Sequence, residues 1–194
     1  MSYLYLRKIK SLYFTYNEVA DTLEITNDSA RVICSRYVAK NLLIRIKRNV
    51  YALQERWKCL DETEIMQIAN IIQVPSYISL TTALSYYGYT TQIQQNYIES
   101  ICVNKTFYKN VDQVEFNYTK ISKQYYFDFN KLNGVFIASP EKALLDALYL
   151  ASLGRYSLDF SALETSKFDK EKLRGLFTGY PKKTNKLWGR HASA

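Results

Sequence analysis

The sequence predicts an α+β protein in which short helices and a basic hairpin precede a mixed α/β body. Three observations predict it. Two helix-start signals lie eleven residues apart near the amino terminus, and an alternating apolar–basic run follows them. Beyond residue 59, helical stripes and β-branched, aromatic runs are interspersed. The charge divides the same way: residues 1–58 carry 11 basic and 5 acidic side chains, 59–166 carry 7 and 11, and 167–194 carry 8 and 2.

The amino-terminal elements follow from local chemistry. Tyr3, Leu4, Leu6, Ile9 and Leu12 make an amphipathic first helix over 3–12. Thr15 with Glu18 three residues on is a capping box, with Phe14 as its hydrophobic staple. That second helix runs through Val19, Ala20 and Leu23. After the polar break Thr26-Asn27-Asp28, a third helix spans about 27–41, with Ala30, Ile33, Cys34, Tyr37 and Val38 inward. Ile44 to Lys47 alternates as a half-buried strand, Arg48-Asn49 turns, and Val50 to Leu53 returns. Two helices joined by a short turn, then a hairpin basic at its tip, are a winged helix-turn-helix over residues 1–55.

These residue types suit double-stranded DNA. The third helix would enter a major groove, with Asn27 and Arg31 able to pair bidentately with adenine and guanine. Ser29, Ser35, Arg36 and Lys40 would hold phosphates, and Arg45, Lys47 and Arg48 would meet the flanking backbone or minor groove. The competing reading is a protein-interaction module on the same fold.

The body, residues 59–177, reads as a mixed α/β domain joined through a polar junction at 55–64. Helical stripes cover 63–73, 80–87 (capped by Ser79 and closed by Gly88), a segment starting at Ser139-Pro140-Glu141, and 169–177. Strands are expected at 97–103, 114–121, 124–129 and 134–138. Residues 178–194 read as a loose basic tail.

Much chemistry is excluded. Three Cys, at 34, 59 and 102, form no C-x-x-C pair, so neither a disulfide framework nor a metal site is expected. The single His191 lies four residues from the end, a poor base for histidine catalysis. No glycine-rich phosphate loop is present, and no cofactor is expected. Glu141 and Asp146 sit about 140° apart around one helix, so they make no acid–base pair. Asp112, Glu115 and Asp128 are the carboxylates a nucleic-acid-processing enzyme would use, but no spacing demands it. Without a signal peptide or a roughly 20-residue apolar run, the expected location is the cytoplasm, with no membrane partner.

Two body motifs, VPSYISLTTALSYYGY over Val74–Tyr89 and IASPEKALLDALYL over Ile137–Leu150, resemble the AbiEi family of bacterial antitoxins and transcriptional regulators. The hairpin RIKRNVYAL, Arg45–Leu53, resembles that family's R-x-x-x-G-x-Y segment, with Asn49 in place of glycine. The likeness extends over about residues 10–177. It implies an amino-terminal winged helix that binds operator DNA, typically inverted repeats, and represses its own operon. It also implies a carboxy-terminal domain that counters a nucleotidyltransferase-like toxin without a stable complex, the type IV arrangement. The PSYIS and PEKALLD stretches then single out Ser76, Ser79, Glu141 and Asp146, in an architectural or antitoxin role.

Overall fold

Thr15 and Glu18 begin the amino-terminal unit as their spacing requires. In the computed structural model, which describes residues 2–191, the Glu18 amide donates to Thr15 Oγ1 at 3.3 Å and the Thr15 amide to Glu18 Oε2 at 2.8 Å. They start α2 (Tyr16–Leu23), which follows a shorter α1 (Ser2–Leu6). The first helix stops well before residue 12, because Lys8 and Ile9 donate three residues back and close it as a turn. Glu24 takes a left-handed conformation after α2 and turns the chain toward α3 (Asn27–Ala39). Thr26 caps α3 by accepting from the Ser29 amide at 3.3 Å.

The hairpin β1 (Leu43–Lys47) and β2 (Val50–Leu53) turns at Asn49, whose φ of 59° is the left-handed value asparagine tolerates. Phe14 pairs with Tyr51 through two 2.8 Å backbone hydrogen bonds, so the chain entering α2 lies against β2. Leu6, Phe14, Val19, Ala20, Ala30, Cys34, Leu43, Tyr51 and Leu53 form one core beneath these elements. Ala30 and Cys34 are the fully buried members of the expected inward face of α3; Ile33, Tyr37 and Val38 are half-buried.

Two short helices follow, α4 (Gln54–Trp57) and α5 (Glu62–Ile72). The chain forms two compact units. One runs to Ile68 and takes in Val111–Gln113; the other comprises Ala69–Asn110 and the chain from Val114 onward. The division falls inside α5 rather than in the polar stretch 55–64, which is itself largely helical and is tied within the first unit by Arg56 to Glu64 at 3.3 Å.

The second unit holds β3 (Ser76–Ile78), α6 (Leu80–Tyr86), β4 (Tyr97–Cys102), β5 (Phe107–Val111) but for its last residue, β6 (Val114–Lys120), β7 (Phe129–Leu132), β8 (Val135–Ala138) and α7 (Pro140–Ser152). The sheet order is β5-β6-β4-β3-β8-β7, with β3–β8 and β4–β6 parallel and β3–β4 and β7–β8 antiparallel. The architecture is mixed α/β. The strand expected at 124–129 is instead a single 3₁₀ turn, Lys123–Tyr125, followed by β7 three residues further on. Its aromatics read as strand, but Tyr125 turns inward to stack on Tyr180 at 4.4 Å.

Helices α8 (Lys170–Phe177) and α9 (Lys182–His191) complete the chain. The stretch expected as a loose tail is therefore mostly helical. Thr184 is fully buried and meets Ser152 of α7 at 3.1 Å, while Trp188 packs edge-on against Phe168. The side chain of His191 and residues 192–194 lie outside the described residues. Replacing Thr15 by alanine should cost about 1 kcal/mol of stability by removing the α2 cap, measured by denaturant unfolding.

Candidate nucleic-acid interface

The exposed side of α3, with its C-cap Lys40, carries every residue of this segment expected to meet DNA. Asn27, Ser29, Arg31, Ser35, Arg36 and Lys40 are all exposed. They do not share one line. Asn27, Arg31 and Ser35, spaced i, i+4, i+8, form one ridge; Ser29, Arg36 and Lys40 lie roughly 160° from Arg31 around the axis. Between them stand Asp28 and Val32, the latter 48% exposed. In the hairpin, Arg45 and Arg48 are exposed and Lys47 is half-buried, and the strand register shifts between Arg45 and Lys47.

A run of side-chain hydrogen bonds joins the Asn27–Arg31 ridge to the hairpin turn. The Tyr16 amide, an unpaired donor at the start of α2, donates to Asn49 Oδ1 at 3.0 Å. Asn49 Nδ2 donates to Asn17 Oδ1, and Asn17 Nδ2 donates to Asn27 Oδ1, each at 3.4 Å. Together with the Phe14–Tyr51 pairing, this fixes the turn against the first residues of both helices. Arg31 is held too. Its guanidinium lies 4.5 Å from the Tyr16 ring centre, donates to the Tyr16 hydroxyl at 2.7 Å and pairs with Asp28 at 3.4 Å. Five N–H donors on a guanidinium leave others for a base edge. Tyr16, Asn17 and the Asn49 side chain were not legible as site residues, since their partners lie 10 to 33 positions away.

Among the described residues, no carboxylate pairs with Arg36, Lys40, Arg45 or Arg48. Burial pushes the Cys34 thiol up to about 11, so that cysteine stays neutral on the buried side of α3.

The four motif residues of the second unit are all buried, each with a structural partner. Ser76 donates to the Gln73 carbonyl at 2.6 Å. Ser79 precedes α6, but the side-chain cap expected from sequence does not form; its hydroxyl donates to Asp146 Oδ2 at 2.8 Å instead. Asp146 also accepts from Tyr77 at 2.9 Å and pairs with Lys142, whose side chain is fully buried and donates to the Tyr180 hydroxyl at 3.0 Å. Burial raises the Asp146 carboxyl above the usual range, and Lys142, Ser79 and Tyr77 oppose that rise. Glu141 accepts from the Asp169 amide at 3.4 Å and pairs with Lys172 at 3.1 Å. Asp128 takes the Ser139 hydroxyl at 2.6 Å and pairs with Lys172 at 3.3 Å.

Between Ser79 and Thr81, Leu80 has a φ of 57°, a strained value for a residue with a Cβ. Glu99 holds it there. Its carbonyl accepts from the Ser79 amide at 3.1 Å, and its carboxyl from the Thr81 amide at 3.0 Å. Burial raises Glu99 to about 7, against the hydrogen bonds from Tyr156, Thr81 and Thr82.

Among the described residues, no group of three or more His, Cys, Asp or Glu could hold a metal ion, and no helix is long and apolar enough to cross a membrane. No family model and no curated protein matches the chain. Among solved structures it is similar to the crystal structure of the RV2827C protein from Mycobacterium tuberculosis, with a TM-score of 0.66 and 11% sequence identity over 98% of this chain and 74% of that one. At that identity the likeness concerns the fold alone: a mixed α/β architecture common to both chains.

Two outcomes are expected of the buried groups. Asp146→Ala strands the Lys142 ammonium and should cost about 3–5 kcal/mol, whereas the double change Lys142→Met with Asp146→Leu should recover most of it; equal losses in urea titrations would refute the pairing argument. Glu99 binds its proton more tightly folded than unfolded, so stability should fall as pH rises from about 4.5 to about 7. The fall should be on the order of 3 kcal/mol and should flatten in Glu99→Gln, read from melting curves across that range.

Proposed function

We propose that this chain is a cytoplasmic DNA-binding repressor whose residues 1–55 act as a winged helix-turn-helix, with α3 in the major groove and the hairpin as its wing. The observation that carries the reading is the hydrogen-bonded frame joining Asn27 and Arg31 to the Asn49 turn beside Arg48. Side chains held in place before binding lose less entropy on docking. On this reading Arg31 and Asn27 read base edges, and Ser29, Ser35, Arg36, Lys40, Arg45, Lys47 and Arg48 meet phosphates. The five cations among them would give log affinity a slope of about −4.5 against log salt.

The resemblance to AbiEi antitoxins extends the proposal: the operator belongs to the protein's own operon, and the second unit counters a nucleotidyltransferase-like toxin in a type IV pair. The buried Ser79–Asp146–Lys142 set supports this only as the frame of that unit, since Ser76, Ser79, Glu141 and Asp146 are all buried. We assign the chain no catalysis of its own.

A second reading keeps the fold but docks a protein on α3. Val32, nearly half exposed between the two ridges, favours it. Salt separates the two, because protein docking on an apolar patch weakens little as salt rises while phosphate contacts weaken steeply. In mobility-shift titrations with duplex from the region upstream of the gene, Arg31→Ala should cost about 1–3 kcal/mol and relax preference at one base pair. Arg48→Ala should weaken all duplexes alike. Unchanged binding in both variants would overturn the reading.

A further inference from the structure

After Glu171 the chain carries no acidic side chain, yet α9 holds Lys182, Lys183, Lys186 and Arg190. All four are exposed. At 100° per residue they fall within an arc of about 100°, on the side of the helix away from buried Thr184 and half-buried Trp188. Among the described residues, none of the four pairs with a carboxylate. The face is fixed rather than frayed. Thr184 meets Ser152, Tyr180 stacks on Tyr125, and Trp188 packs on Phe168. Lys183, Lys186 and Arg190 also line an open groove of about 350 Å³ with Ala151, Ser152 and Gly154 from the end of α7.

Four like charges on one short arc repel each other and lower the stability of an isolated helix. Among the described residues no carboxylate offsets that cost, and the packing residues Thr184 and Trp188 lie on the opposite side of α9. A polyanion would offset it. The spacing selects which one. Lys182 to Arg190 covers about 12 Å along the helix at 1.5 Å per residue, and one strand of a duplex presents a phosphate about every 3.4 Å of its axis. Three or four phosphates of a single strand therefore match the stripe.

We infer that the cationic face of α9 is a second phosphodiester-binding surface, on the second unit, which grips the backbone of duplex DNA without reading its sequence. It deepens the proposed DNA-binding function and rests on that reading for its biological setting. Arg and Lys with no planar or bidentate partner set give electrostatic grip rather than base choice. Such a contact would add affinity to any duplex.

The test is fluorescence anisotropy of a random-sequence 30-base-pair duplex with the full chain over a salt series. The α9 variant is Lys182→Gln, Lys183→Gln, Lys186→Gln and Arg190→Gln together; the control is Arg36→Gln with Arg45→Gln in the first unit. The α9 variant should bind at least tenfold more weakly at 0.1 M salt, with a log–log slope smaller by about 3. An unchanged slope, with circular dichroism showing α9 intact, overturns the inference. If only the control variant weakens binding, the inference fails and the first-unit reading stands. If only the α9 variant weakens it, the inference stands and the first-unit reading fails. Vesicles with 30% phosphatidylserine form the last arm: variant-sensitive binding there, with duplex binding unaltered, also overturns it.

Discussion

The amino-terminal unit depends on one local constraint, the seating of the β1–β2 turn against the start of α2. Asn49 can form that turn because it adopts a left-handed backbone, and its carboxamide then fills the vacant donor at Tyr16. The Phe14–Tyr51 pairing holds the same two segments through the main chain. With the turn in place, Asn17 bridges to Asn27, and Tyr16 presents both ring and hydroxyl to Arg31. A glycine at 49 would allow the turn but would lose the bridge. Asparagine at this position thus has a structural consequence: its side chain orders the neighbouring helix ends.

The second unit solves a different problem. Leu80 sits in a conformation costly for its residue type, at the junction of β3 and α6. Glu99 holds the junction from β4, and Ser79 ties it to Asp146 of α7. Lys142 and Asp146 bring opposite charges into a dry interior, ringed by Tyr77, Phe127 and Tyr180 at 5.1 to 5.7 Å. Such pairs add little net stability over apolar replacements, but they penalise any arrangement that separates them. The PSYIS and PEKALLD stretches are therefore the two halves of one buried joint.

What the sequence made legible was local. The Thr15–Glu18 box, the Thr26 cap, the Ser139-Pro140 helix start and the Asn49 turn each act within a few residues, and each stands where its spacing put it. Contacts between distant residues were not legible. Ser79 reads as a cap, yet its hydroxyl is claimed by a carboxylate 67 positions away. Tyr125 reads as strand, yet it turns inward toward Tyr180. Helix α9 has few apolar residues and no stop signal, so its composition suggested a loose tail; Thr184 and Trp188 supply the packing that composition hides. The candidate site was legible as a set of cations, but not as the two ridges into which helix geometry divides it.

The central claim is that α3 and the β1–β2 turn form one docking surface for duplex DNA. Hydrogen–deuterium exchange of the full chain, with and without saturating upstream duplex, tests it most directly. The account predicts slowed exchange in residues 27–31 and 45–50, whether or not α9 also slows, with little change across the buried β3–β4 core. Saturated binding that leaves both segments exchanging at their free rates would contradict it.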